Sequence, residues 1–142
     1  MHKIRGFTLI EIMVVVSIMI ILLTFAIPNI LRSRSVANEG AAMANLKSIS
    51  DACQLYHVNR GAYPETLADL VAPASVPPYI DATLASGHKQ GYEYVYERNG
   101  LGFTINANPE GVLRGRYYFI DETGIMRVNY EQEAGVEDEQ VS

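Results

Sequence analysis

Lys3-Ile4-Arg5-Gly6-Phe7-Thr8-Leu9-Ile10-Glu11, followed by an apolar run to Ile27, is the stretch from which the fold follows. A short basic leader meets a glycine. A hydrophobic helix starts at once, with one carboxylate in its first turn. From Phe7 to Ile27 there are 21 residues, and only Thr8, Glu11, Ser17 and Thr24 are polar. As a helix this stretch spans roughly 31 Å, close to the hydrocarbon thickness of a bilayer. Ile12 to Ile27 alone is 16 residues, too short to cross comfortably. A membrane-spanning helix must therefore include Glu11. A charged side chain well inside a bilayer costs about 2.5–3.5 kcal/mol on insertion scales. Either Glu11 reaches the headgroup interface, or it awaits a partner cation.

Three other readings of this stretch fit less well. A cleaved secretory signal needs small residues beyond its apolar run, and Thr24-Phe25-Ala26 does not supply them. A plain anchor explains the length but neither the Gly6-Phe7 start nor Glu11. A core helix of a soluble domain is disfavoured because apolar residues surround this helix on all sides, the pattern of a membrane span or of complete burial.

Gly6-Phe7-Thr8-Leu9-Ile10-Glu11 resembles, without a mismatch, the processing motif of type IV pilins and type II secretion pseudopilins. As in that family, basic residues precede the motif and a proline stands near the end of the apolar run. The resemblance implies cleavage by a membrane peptidase between Gly6 and Phe7, with N-methylation of Phe7. It maps the family's assembly glutamate onto Glu11, which would neutralise the terminal amine of a neighbouring subunit. Opposite charges attract far more strongly in a low dielectric than in water, and neither is cheaply left unpaired there.

The chain has 142 residues, enough for one modest domain plus an anchor. Its formal charge is −5, and loss of Lys3 and Arg5 with the leader would lower it by two, to −7. An acidic body argues against nonspecific nucleic-acid binding, which depends on neutralising phosphates. The single cysteine, Cys53, excludes an internal disulfide. Lys3 and Arg5 on one side of the apolar run balance Arg32 and Arg34 on the other, so the positive-inside rule does not orient it. An N-terminus in the cytoplasm is taken from the resemblance, because leader removal in that family requires it.

Pro28 removes a backbone hydrogen bond and predicts a kink at the membrane's outer edge. Ile30 to Arg60 is again helical, with Val36, Gly40, Met43, Leu46, Ile49 or Ser50, Cys53 and Tyr56 three or four apart. Gly61 is a natural stop. Arg32 and Arg34 are candidates for subunit or headgroup contacts, against the plainer reading of a solvated face. Gly61 to Leu70 reads as a turn and a short helix with Leu67 and Leu70 inward. Pro73, Pro77 and Pro78 force an extended connector, and Asp81 to Gln90 reads as loop or one helical turn.

From Gly91 the period becomes two. Tyr92, Tyr94 and Tyr96 predict a strand with one buried face, and Asn99-Gly100 predicts a two-residue hairpin turn. Leu101 to Ala107, Gly115 to Asp121 and Ile125 to Asn129 are the following strands. The predicted fold is α+β and pilin-like: a long N-terminal helix packed on an antiparallel sheet of about four strands. The tyrosines are expected to pack across strands rather than form a ligand cage. The expected organisation is a leader over 1–6, a transmembrane and assembly helix over 7–29, a globular domain over 30–130, and an acidic, disordered tail over 131–142.

No catalytic constellation is visible, and no enzymatic activity is expected. His2, His57 and His88 lack metal-ligand spacing, and Cys53 lies on the helix stripe as a core residue. No cofactor is expected. Calcium, bound by major pseudopilins near their C-terminus, is the one candidate, with Asp121 and Glu122 as contributors but no regular oxygen-ligand spacing. The resemblance implies a subunit precursor of a type IV pilus or, alternatively, a type II secretion pseudopilus. It implies insertion in the inner membrane, processing by the prepilin peptidase and methyltransferase, and assembly by an inner-membrane platform and motor. The product would be a homopolymer, an extracellular pilus or a periplasmic pseudopilus. A reading from another class is a monomeric membrane-anchored binding domain.

Overall fold

A computed structural model describes residues 7–111 and 115–141; the leader, with Gly6, lies outside the described residues. The first element is helix α1, Leu9–Arg60. The chain divides into two compact units, 1–34 and 35–142.

In the first unit, α1 starts at the apolar run and remains helical through Pro28. No residue between Phe7 and Arg34 is buried. Pro28 offers no N–H to the Thr24 carbonyl. The polar side chains here bond within the helix: Ser17 Oγ donates to the Met13 carbonyl at 2.7 Å, Thr24 Oγ1 to Ile20 at 2.9 Å and Asn29 Nδ2 to Phe25 at 3.0 Å. Each donor is thereby satisfied without water, the condition a lipid environment imposes.

In the second unit, α1 continues to Arg60 and lies on a six-stranded antiparallel meander, β1 to β6 in sequence order. The strands are β1 (His88–Lys89), β2 (Tyr92–Asn99), β3 (Gly102–Pro109), β4 (Tyr117–Asp121), β5 (Met126–Asn129) and β6 (Glu139–Gln140). The register builds two rows that face the helix: Tyr94, Ala107, Tyr118, Val128, and Tyr96, Ile105, Ile120, Met126. With Ala42, Leu46, Ile49 and Cys53 of α1 they form one core. Each large side chain removed from water there contributes about 1.5–3 kcal/mol.

The buried helix face differs from the predicted stripe at its start. Val36 and Gly40 are exposed, and Glu39 and Ala42 are buried instead. A carboxylate takes the inward position because Arg116, just before β4, meets it, with Nε and Nη2 both 2.9 Å from Oε2.

After α1, Leu67–Leu70 forms a single 3-10 turn that buries both leucines. The Asp69 carboxylate secures its start, accepting the backbone N–H of Glu65 at 2.9 Å and of Thr66 at 2.8 Å. A one-turn helix α2 (Ala82–Ala85) follows the proline connector. The hairpin between β2 and β3 turns at Gly100-Leu101, one residue later than predicted, because Asn99 pairs with Gly102. Gly100 has φ +59° and Leu101 does not share the positive sign, the pattern of a type II′ turn with glycine first.

The largest correction concerns the acidic end. Residues 131–141 are not a solvated tail. β6 pairs with β5, and Ala134 is buried. Asn106, Phe119, Arg127 and Gln140 share the sheet face opposite α1. The C-terminal segment is tied to this face, since Asn106 Nδ2 donates to the Ala134 carbonyl at 2.7 Å. Asp138 closes the loop, accepting from Asn129 Nδ2 at 2.9 Å and from the Gly135 N–H at 2.7 Å. Phe119, 4% exposed, explains the difference: a sheet with an aromatic on its second face needs a cover. Charge density along the tail overstated its disorder, because Glu133 and Asp138 are used in the fold.

Candidate functional site

The start of α1 is a reciprocal cap. Thr8 precedes the first helical residue, and Glu11 is the third residue of the helix. The Glu11 N–H donates to Thr8 Oγ1 at 3.3 Å, and the Thr8 N–H donates to Glu11 Oε2 at 3.5 Å. The Thr8 N–H, which a helix start leaves without a backbone partner, is satisfied in this way, and the Glu11 N–H also donates to the Thr8 carbonyl at 3.1 Å. The side chain also lies at the N-terminal end of the helix, where the unpaired backbone N–H groups point. Both contacts are long and Glu11 is exposed, so its carboxylate retains capacity for a stronger partner. Phe7, next to this cap, is 78% exposed.

The Thr-x-x-Glu spacing that makes this cap stands in the sequence. Glu39 gave no local signal, because its partner Arg116 is 77 residues away.

Other predicted residues fall apart from this cluster. Arg32 and Arg34 are exposed, and among the described residues neither has a carboxylate within ion-pair distance. Asp121 is 7% exposed and is committed elsewhere: it accepts from the Thr123 N–H at 3.0 Å, bonds the Thr123 hydroxyl, and pairs with Arg127 at 3.3 Å. Glu122 is exposed and packs over Gly102. Among the described residues no group of three or more His, Cys, Asp or Glu side chains converges on a point.

The tyrosines are core residues. The Tyr92 hydroxyl donates to the Arg116 carbonyl at 3.0 Å, and that of Tyr96 to the Pro64 carbonyl at 2.6 Å. Tyr94 accepts from Asn45 Nδ2 at 3.1 Å. Burial raises the pKa of Tyr92, Tyr94, Tyr96 and Tyr118 above the ordinary phenol value. Burial likewise pushes the Cys53 thiol up to about 12, so it is a packing group and not a nucleophile.

The model of the prokaryotic N-terminal methylation motif matches residues 1–27, the stretch that contains the capped start. Type II secretion system core protein G of Escherichia coli K12 is 33% identical over 93 residues, 63% of this chain and 61% of that protein. Type II secretion system core protein G of Vibrio cholerae is 36% identical over 77 residues, 54% of this chain and 53% of that protein. The type IV wide pilus major component PilA4 of Thermus thermophilus is 28% identical over 112 residues, 78% of the chain and 86% of that protein. The chain thus spans little more than half the length of the protein G relatives it matches. No solved structure matches it.

Proposed function

We propose that the chain is the precursor of a filament subunit, a pilin of a type IV pilus. The peptidase and methyltransferase cut after Gly6 and methylate the amine of Phe7; the chain is their substrate and not itself an enzyme. The subunit waits in the inner membrane with residues 7–27 in lipid and its N-terminus in the cytoplasm. An assembly platform and motor then move it into a helical homopolymer, whose heterologous contacts do not close. There Glu11 exchanges its long contact with the Thr8 N–H for the Phe7 amine of a neighbour.

One observation carries this reading: among the described residues, the carboxylate in an exposed apolar helix is held by nothing stronger than a 3.5 Å cap. A permanent monomer gains little from an acid placed there. Glu11→Ala tests it. The variant should insert and lose its leader, yet yield few or no filaments. Normal filaments from Glu11→Ala would reject the mechanism. Intact mass of the mature chain should show loss of Met1 to Gly6 and gain of one methyl group.

A type II secretion pseudopilus is the second reading, supported by the several protein G relatives. Deleting the gene separates the two: loss of surface fibres supports the pilus, and loss of secreted proteins supports the pseudopilus.

A further inference from the structure

The unit 35–142 carries a groove that its own chain leaves open. Its walls are the last turns of α1 and the proline connector, and it is lined by Leu55, Asn59, Arg60, Val76, Pro77 and Tyr79. The groove is preformed. Asn59 Nδ2 donates to the Tyr79 hydroxyl at 3.1 Å, and Tyr56 meets Tyr79 edge to face at 5.8 Å. Ser75, buried at its base, donates through Oγ to the Asp69 carbonyl at 2.6 Å. Leu55 and Val76 nevertheless stay 53% and 80% exposed. A second depression shares Leu55 and Tyr79 and continues along α1 past the Lys47–Asp51 ion pair, so the groove is apolar at its floor and polar beyond it.

Charge marks one end of this groove. Among the described cations of the unit, Lys47, Lys89, Arg98, Arg116 and Arg127 each pair with a carboxylate of the unit. Arg60 instead donates to the Ala74 carbonyl at 3.4 Å and lies over the Tyr56 ring at 5.6 Å. The same unit presents the complementary surface. The loop between β5 and β6, fixed by Asp138 and Asn129, exposes Val136 beside Glu137. Glu131, Glu137 and Glu139 have no cation within ion-pair distance among the described residues.

We propose that this groove receives the C-terminal loop of a second copy of the chain, with Val136 on the apolar floor and Glu137 facing Arg60. The inference rests on the filament reading and names its lateral contact. Groove and loop are different surfaces of one subunit, so each copy uses both, and the contact repeats without closing. The apolar seat supplies area, and the charge pair supplies register.

The test uses the full chain in its processing-competent host. Val76→Cys and Val136→Cys are introduced singly and together; native Cys53 is buried and does not interfere. Mild oxidation of sheared filaments should give a ladder of covalent multimers from the double variant and none from either single variant. Arg60→Glu should lower filament yield about ten-fold or more, because a like-charge contact recurs at every interface. Glu137→Arg in the same chain should restore the yield. Abundant filaments with no ladder, or an Arg60→Glu defect that Glu137→Arg leaves uncorrected, would overturn the docking while leaving the filament reading intact. Absence of filaments from the unaltered chain would reject both.

Discussion

Removing Arg116 should destabilise the globular unit through the carboxylate it leaves behind. Glu39 sits on α1 with its side chain 12% exposed, and Arg116 reaches it from the approach to β4 through two N–H groups at 2.9 Å. Hydrogen bonds to charged groups are each worth about 1.5–3 kcal/mol, and breaking a fully buried pair costs about 3–5 kcal/mol. Arg116 is itself 43% exposed, so water can replace part of what it gives, and the cost falls below the buried-pair figure. Arg116→Ala should therefore cost about 2 kcal/mol, or a fall in Tm of about 8 °C for a domain of this size. Glu39→Gln keeps the shape but loses the charge and should cost about 1 kcal/mol. In the double variant the two losses should not add, since each removes the same contact. The assay is urea unfolding of the processed chain in detergent, followed by tyrosine fluorescence and far-ultraviolet circular dichroism. An Arg116→Ala midpoint equal to that of the parent, or strict additivity in the double variant, would refute the role given to this pair.

Alkaline pH should unfold the unit early. Cys53, Tyr92, Tyr94, Tyr96 and Tyr118 all have pKa values raised by burial. The folded state therefore holds protons that the unfolded state releases, and stability falls as pH rises past the unfolded values of 9.0 for Cys53 and 10.0 for the tyrosines. The tyrosinate absorbance of these four buried residues should appear together with loss of helix signal rather than before it. Truncation before Ala134 removes β6 and the cover over Phe119; a loss of about 2 kcal/mol and new dye binding are expected, and an unchanged urea midpoint would return the segment to the status of a tail. Gly115→Ala places a Cβ 2.5 Å from the buried Tyr92 hydroxyl, whereas Gly102→Ala meets the movable end of Glu122 at 2.8 Å. The first should destabilise by about 1–3 kcal/mol and the second much less, as measured by paired thermal melts.

Much of the architecture is written in local patterns. A run of 21 residues with four polar members can only be a long helix with no polar face. Alternation at Tyr92, Tyr94 and Tyr96 gives a one-faced strand, and the structure buries the first two fully and the third in part. Six strands appear where about four were expected, because β1 and β6 are two residues each, shorter than any periodicity can register. The hairpin turn slipped by one residue because Asn-Gly and Gly-Leu both offer a positive φ at glycine, and pairing across the strands decides between them.

The sequence by itself determined the capped, apolar start of α1 and its lone carboxylate. Helix length, capping and desolvation cost are properties of a few adjacent residues, so they can be summed along the chain. Only the tertiary structure decided that Glu39 faces inward, that the acidic end closes the sheet over Phe119, and that Arg60, beside an open groove, has no carboxylate partner among the described residues. Each of these depends on a partner tens of residues away. Burial and charge pairing are fixed by where the sheet brings those partners, and residue spacing alone carries no record of that.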